Sequence, residues 1–235
     1  MSRYRALAAI WFAILGICLF AGCVEGPFGL ARYNPVLVDE WRKDEKFGPT
    51  LHQRLEEMRD WEGRAGSLGA DQEQMICAQL SELVRTDSNT LLITQAVKTL
   101  GAIDSAQSLD AIRFASTHPQ PDVRVAACRA WGAKKSAEAG EMLANLLNSD
   151  THLDVRLAAA RELKGFPGQA TIQALSVALD DSDPALQRRC AESLEAITGK
   201  SLGNDVKAWR EYIASGQVKP AEPVSFADRF YSWFR

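Results

Sequence analysis

The feature that most constrains this chain is a phrase written almost twice. Asp122-Val123-Arg124-Val125-Ala126-Ala127-Cys128-Arg129-Ala130-Trp131-Gly132 returns as Asp154-Val155-Arg156-Leu157-Ala158-Ala159-Ala160-Arg161-Glu162-Leu163-Lys164. Weaker copies flank it at residues 92–101 and 186–194. The large apolar anchors Leu100, Trp131, Leu163 and Leu194 are spaced by 31, 32 and 31 residues. A fixed period of this size belongs to stacked helical hairpins, each unable to bury its apolar face alone, and not to one closed core. The expectation is an all-α solenoid of about four hairpins. Stacks of this kind expose long surfaces, so the period points to a binding job without naming the partner.

The periodicity inside one copy agrees. Val123, Ala127, Ala130 and Trp131 stand at i, i+4, i+7 and i+8, one stripe of a helix. Small residues at Ala127 and Ala159 let neighbouring helices approach closely. Asp122 and Asp154 suit helix N-termini, where a carboxylate can cap free N–H groups, and Pro121 suits an early helical position. Arg124 and Arg156 are expected to hold the inter-helix turns by bonding carbonyls or carboxylates. First helices of the four hairpins are expected over residues 71–84, 105–115, 136–147 and 169–179. Between them lie turn-forming runs such as Thr86-Asp87-Ser88-Asn89, His118-Pro119-Gln120-Pro121 and Asp180-Asp181-Ser182-Asp183-Pro184.

The phrase resembles the HEAT-like repeat of the phycobilisome-lyase type, roughly Asp-x-x-Val-Arg-x-x-Ala-Ala-x-Ala-Leu-Gly. Val123, Arg124, Ala127, Cys128, Ala130, Trp131 and Gly132 fill the pattern in one copy; Val155, Arg156, Ala159, Ala160 and Leu163 fill it in the next. The outer copies carry Ile93 and Gln187 in place of the arginine, as end units of a stack often depart from the consensus. The resemblance spans residues 70–200. It implies a fold strongly and a function weakly, because the fold hosts many jobs. Among relatives of this type the resemblance implies two enzymatic possibilities, bilin-attaching lyases and a di-iron hydroxylase built on His-Glu pairs. Here His52, His118 and His152 are the only histidines and none precedes a glutamate. No Gly-x-Ser-x-Gly, His-Glu-x-x-His or phosphate-cradling loop occurs. The reading is therefore a non-enzymatic interaction module with no catalytic residue, cofactor, metal or evident small-molecule substrate. The alternative is an enzyme or enzyme accessory of the lyase type, binding a tetrapyrrole or a metal.

Residues 1–22 read as a signal peptide. Arg3 and Arg5 precede an apolar run from Ala6 to Phe20, and Leu19-Phe20-Ala21-Gly22-Cys23 closes it. The ending resembles the bacterial lipobox, with Phe20 where leucine is usual; it implies cleavage after Gly22 and a lipid on Cys23. The competing reading is an uncleaved helix extended through Val24. Both place the remainder outside the cytoplasm, as a membrane-anchored protein of the cell envelope facing the periplasm. Val24 after the cysteine favours the outer membrane by analogy.

The formal net charge is −3, and −5 once the leader with Arg3 and Arg5 is removed. That balance argues against a nucleic-acid binder. Cys77, Cys128 and Cys190 remain after Cys18 and Cys23; Cys128 and Cys190 align with alanines of the repeat, so a buried thiol acting as a small apolar group is expected.

Two surfaces are candidates for an unidentified protein partner. Equivalent positions across the stack carry Lys98, Arg129, Arg161 and Glu192, with Arg188 nearby. They form either a basic stripe for an acidic segment or a solvated face with local partners such as Glu162. At the C-terminus Phe226, Phe230, Trp233 and Phe234 stand at helical spacing, for docking to a partner or membrane or for packing on the stack. The organisation read from sequence is a leader (1–22), a lipidated tether (23–49), a flanking helix (50–66), the repeats (67–200), a capping helix (201–216) and a linker with an aromatic tail (217–235).

Overall fold

Ten helices follow one another in the computed structural model, which describes residues 48–215. They are α1 (Leu51–Arg64), α2 (Ala70–Thr86), α3 (Thr90–Ala102), α4 (Ala106–Ser116), α5 (Pro121–Lys134), α6 (Ala137–Ser149), α7 (Leu153–Leu163), α8 (Gln169–Ala178), α9 (Pro184–Thr198) and α10 (Val206–Ala214). No strand occurs among the described residues. The chain divides into two compact units, Met1–Gln53 and Arg54–Arg235. Of the first, the described part is 48–53. There Thr50 accepts the Gln53 N–H while the Gln53 side chain accepts the Thr50 N–H, a capping box at the start of α1. The leader, Gly22, Cys23, most of the tether and the aromatic tail with Phe226, Phe230, Trp233 and Phe234 lie outside the described residues.

The second unit holds the four hairpins: α2–α3, α4–α5, α6–α7 and α8–α9. Their second helices pack in sequence, α3 on α5 on α7 on α9. The four anchors Leu100, Trp131, Leu163 and Leu194 are each fully buried, contributing about 1.5–3 kcal/mol apiece through area removed from water. Trp131 also donates its indole N–H to Ser116 Oγ at 2.9 Å, so its polar edge is satisfied. Val123, Ala127, Val155 and Ala159 lie in the same core. Small residues set the spacing between second helices. A Cβ added to Gly101 would sit 2.9 Å from the Ala130 Cα, and Ser193 Oγ donates to the Ala160 carbonyl at 2.7 Å across the next-but-one contact.

Helix starts follow local chemistry, with one correction to the sequence reading. Ser105 and Ser136 are N-caps, accepting the N–H groups of Ser108 and Ala139, so α4 and α6 start one residue after the serines. Asn89, Asp183 and Asp205 cap α3, α9 and α10 in the same way. Asp122 and Asp154, expected to cap, do not. They stand inside the first turns of α5 and α7, behind Gln120 and His152, and neither helix has a side-chain cap bond. Position decides this: a residue already wound into the helix points its carboxylate outward, where it meets the helix dipole but not the free N–H groups.

The repeated arginines do clamp the turns. Arg124 Nη1 donates to the His118 and Pro119 carbonyls of its own turn at 2.8 and 3.1 Å. Its Nε and Nη2 grip both oxygens of Asp150 in the next turn, at 2.7 and 2.8 Å. Arg156 repeats the pattern more loosely, with its Nη1 on the Asp150 and Thr151 carbonyls and Nη2 3.3 Å from Asp181; its Nε is buried without a partner. Gln187 keeps only the clamp on its own turn, donating to the Asp181 carbonyl at 2.7 Å. The acceptor position recurs as well. Asp87, Asp150 and Asp181 each accept the N–H two residues on. At the equivalent place in the second hairpin stands His118, whose Nδ1 accepts the Gln120 N–H at 3.1 Å. The arginine that would meet it from the preceding hairpin is replaced by buried Ile93. The turn thus keeps its acceptor as an imidazole where no arginine arrives from the preceding hairpin.

First helices pack less evenly. α2 lies on α4 and α6 on α8, but α4 and α6 are not closely packed. A cavity of about 390 Å³ opens between them, lined by His118, Arg124, Met142, Asn145, Leu146 and Asp150 among others. The chain end of the stack is sealed by α10. Trp209 is fully buried and donates to the Gly203 carbonyl at 2.9 Å, and Val206, Tyr212 and Ile213 pack beside it.

Candidate functional site

Positions 98, 129 and 161 fall on α3, α5 and α7, three helices in direct contact, and at one register of the repeat. Lys98 is half-buried, while Arg129 and Arg161 are exposed. Neither Lys98 nor Arg129 makes an ion pair among the described residues. Arg161 has Glu162 at 3.7 Å, a contact in solvent worth at most about 1 kcal/mol. The Glu162 carboxylate leans instead over the bare face of Gly132 on α5, where a Cβ would stand 2.5 Å from it. The cations of the row thus keep their charge available.

The fourth position ends the row. Glu192 accepts from Arg188 Nε at 2.9 Å and from Arg189 Nη1 at 2.7 Å. Arg188 is therefore occupied within its own helix, and it sits one turn before the row and not in it. One turn before each of the three cations stand Thr94, Val125 and Leu157, all half-buried; Val125 and Leu157 pack on the core with their inner sides. Sequence reasoning missed this second line of positions, although the i−4 spacing from Lys98, Arg129 and Arg161 was the signal that held it.

Other chemistry-bearing groups are committed to structure. The cavity between α4 and α6 holds polar atoms, but Arg124 and Asp150 are spent on each other and on the turns. Ser116 Oγ accepts from Trp131 and donates to the Ile112 carbonyl, and Ser149 Oγ donates to the Asn145 carbonyl. Burial tends to raise the Asp150 carboxyl; the Arg124 hydrogen bonds and the His152 N–H outweigh it and hold the group below the ordinary value. Burial, reinforced by the nearby Arg124 charge, lowers the proton affinity of His118 below the usual imidazole value. Cys77, Cys128 and Cys190 are free and buried. Burial pushes the Cys128 and Cys190 thiols up to about 12, which makes them inert packing groups. His152 is the residue before α7 and contributes backbone, not ring, to the turn. Among the described residues no group of three or more His, Cys, Asp or Glu side chains converges as metal ligands do, and no helix is long and apolar enough to cross a membrane.

A family model described as HEAT repeats matches residues 77–164 and, overlapping, 141–208. The two spans together cover more than half of the chain and run from α2 into α10. No curated protein matches it.

Proposed function

The chain belongs to the HEAT repeat family, and from that premise we propose that it is a non-enzymatic, protein-binding scaffold or assembly factor of the bacterial envelope, tethered through a lipid on Cys23. HEAT repeats commonly mediate protein–protein interaction, which supports the binding role. The observation that carries it is the row of Lys98, Arg129 and Arg161, held at one register on three successive helices, with neither Lys98 nor Arg129 in an ion pair among the described residues. Structural roles account for the half-buried arginines of the turns, whose guanidinium groups bond turn carbonyls and carboxylates; they do not account for these. The phycobilisome-lyase subtype rests on the Val-Arg and Ala-Ala pattern of residues 123–132 and 155–163. The envelope location rests on the apolar run of residues 6–20 and the Leu19-Phe20-Ala21-Gly22-Cys23 ending.

The test is a crosslinked capture from envelope extract with the full chain in detergent, beside a Lys98→Glu, Arg129→Glu, Arg161→Glu variant of verified helicity. A partner held by the wild type and lost by the variant is the expected result. Equal capture by both retires the row as the binding face.

A further inference from the structure

The row has a pitch, and the pitch selects an occupant. α3, α5 and α7 approach closely because Gly101 faces Ala130 and Cys128 Sγ lies 3.8 Å from the Val155 carbonyl. Helices packed on small residues sit at the short end of the usual interaxial range of about 8–10 Å. Successive rungs are therefore about 8–9 Å apart, measured across the helices. Each rung offers one cation, Lys98, Arg129 or Arg161, and one half-buried group a turn away, Thr94, Val125 or Leu157. At the fourth rung both features reverse: Glu192 replaces the cation, and Arg188, bound to it, replaces the half-buried group.

An occupant must present one carboxylate at each rung, with an apolar group beside it at the rungs of Val125 and Leu157. A β-strand rises about 3.3 Å per residue, but its side chains alternate faces, so every third residue points away. A polyproline II segment has three residues per turn and rises about 3.1 Å per residue, so every third residue returns to the same side after about 9.3 Å. That is nearer the rung spacing than the roughly 6.6 Å between alternate strand residues, and it sets a carboxylate before each cation. Resting on the scaffold reading above, we propose that Lys98, Arg129 and Arg161 bind an acidic polyproline II segment of a partner protein, with carboxylates at every third residue and small apolar residues between them. It crosses the second helices of the first three hairpins, spanning about seven residues, and stops before Glu192.

The test uses the full chain in detergent and three labelled synthetic peptides followed by fluorescence anisotropy. The first is Glu-Pro-Ala repeated four times. The second has the same composition with its glutamates in one block. The third is an alanine-rich helical peptide with glutamates every seventh residue. The repeated peptide is expected to bind at least about tenfold tighter than either other peptide, and Arg129→Glu is expected to weaken it by about tenfold or more. Lys207→Glu, a change on the distant α10, is expected to alter binding less than twofold. Affinity should also fall as salt rises, since the rung cations are half-buried or exposed. Binding of the blocked peptide within threefold of the repeated one overturns the register argument, and tighter binding of the helical peptide overturns the choice of conformation. If no peptide binds while the charge-reversal variant still loses a captured protein, the scaffold reading stands and the segment chemistry is wrong. If capture is also unchanged, both fall.

Discussion

The two repeated arginines look equivalent in sequence and are not equivalent in structure, and their replacement by methionine tests whether that difference is energetic. Arg124 makes four hydrogen bonds, two of them a fork onto Asp150, with side-chain exposures of 12% and 6% for the pair. Arg124→Met keeps the apolar stem, but leaves Asp150 buried with only the His152 N–H. Breaking a buried pair from one side costs about 3–5 kcal/mol. Arg156 has two long carbonyl bonds and one contact with Asp181 at 3.3 Å, with exposures of 19% and 25%. Its Nε is already unpartnered, so Arg156→Met relieves one desolvated donor as it removes the clamp. A cost of about 1–2 kcal/mol follows. With a urea slope of about 2 kcal/mol/M, the midpoint should fall by about 2 M for Arg124→Met and by less than about 1 M for Arg156→Met. The first gap should also depend on pH. The folded Asp150 value is depressed, so the pair's stabilisation is present above the ordinary carboxylate range near about 4 and is lost as pH falls through the folded value. Arg124→Met should therefore approach wild type in strong acid. Equal costs for the two variants, or a larger cost for Arg156→Met, would refute the reasoning.

Three further outcomes can be measured, two from contacts in the stack and one at Cys23. Gly101→Ala should destabilise by about 1–3 kcal/mol because its Cβ meets the Ala130 backbone. Gly132→Ala should cost less, because its Cβ meets the movable end of Glu162; a thermal melt ranking the two the other way would count against the packing account. His118 has a folded proton affinity below its ordinary value, so its stabilising contribution is complete above about pH 6.5 and is lost as pH falls through the folded value. His118→Asn keeps a turn acceptor without titrating, and a plot of urea midpoint against pH should be flatter for that variant as pH falls below about 6.5. Finally, Cys23→Ala should abolish labelling by radioactive fatty acid in a bacterial host; continued labelling would remove Cys23 as the anchor.

Much of this was legible in the sequence because a repeat states each structural role several times. The anchors Leu100, Trp131, Leu163 and Leu194, the turn-clamping arginines and the packing thiols all stood out by register alone. Boundaries moved by a residue or two where a cap outranks periodicity, as at Ser105 and Ser136. Asp122 and Asp154 misled because a carboxylate near a helix start is favourable in two ways, as cap and as dipole partner, and composition cannot separate them. The acceptor line Asp87, His118, Asp150 and Asp181 went unread because its members lie in turns, outside the apolar pattern, and because its second member is a different residue. The availability of Arg129 and the occupation of Arg188 were beyond reach for another reason: local partners depend on rotamers, and a row of charges looks the same whether paired or free.

The contrast between the two sides of the stack ties the joints to the row. On the side of the first helices, α4 and α6 leave a cavity, and the contact is bridged by polar groups: Arg124 with Asp150, and Arg113 with Glu138. On the side of the second helices, α3, α5 and α7 touch chiefly through glycine, alanine and cysteine, with the long side chain of Glu162 lying over Gly132 at the seam. Relative motion of the second and third hairpins is thus expected to open the α4–α6 side while the distance from Arg129 to Arg161 changes little, since these residues adjoin Cys128 and Glu162, which touch across the seam. A ladder built for a regular segment needs rungs that keep their pitch, and the row lies on the side where small residues fix it. Arg124→Met then separates the two roles: faster amide exchange in α4 and α6 with peptide affinity kept is the outcome this geometry requires, whereas parallel loss of both would mean that the pitch is set by the polar joint and not by the small-residue seam.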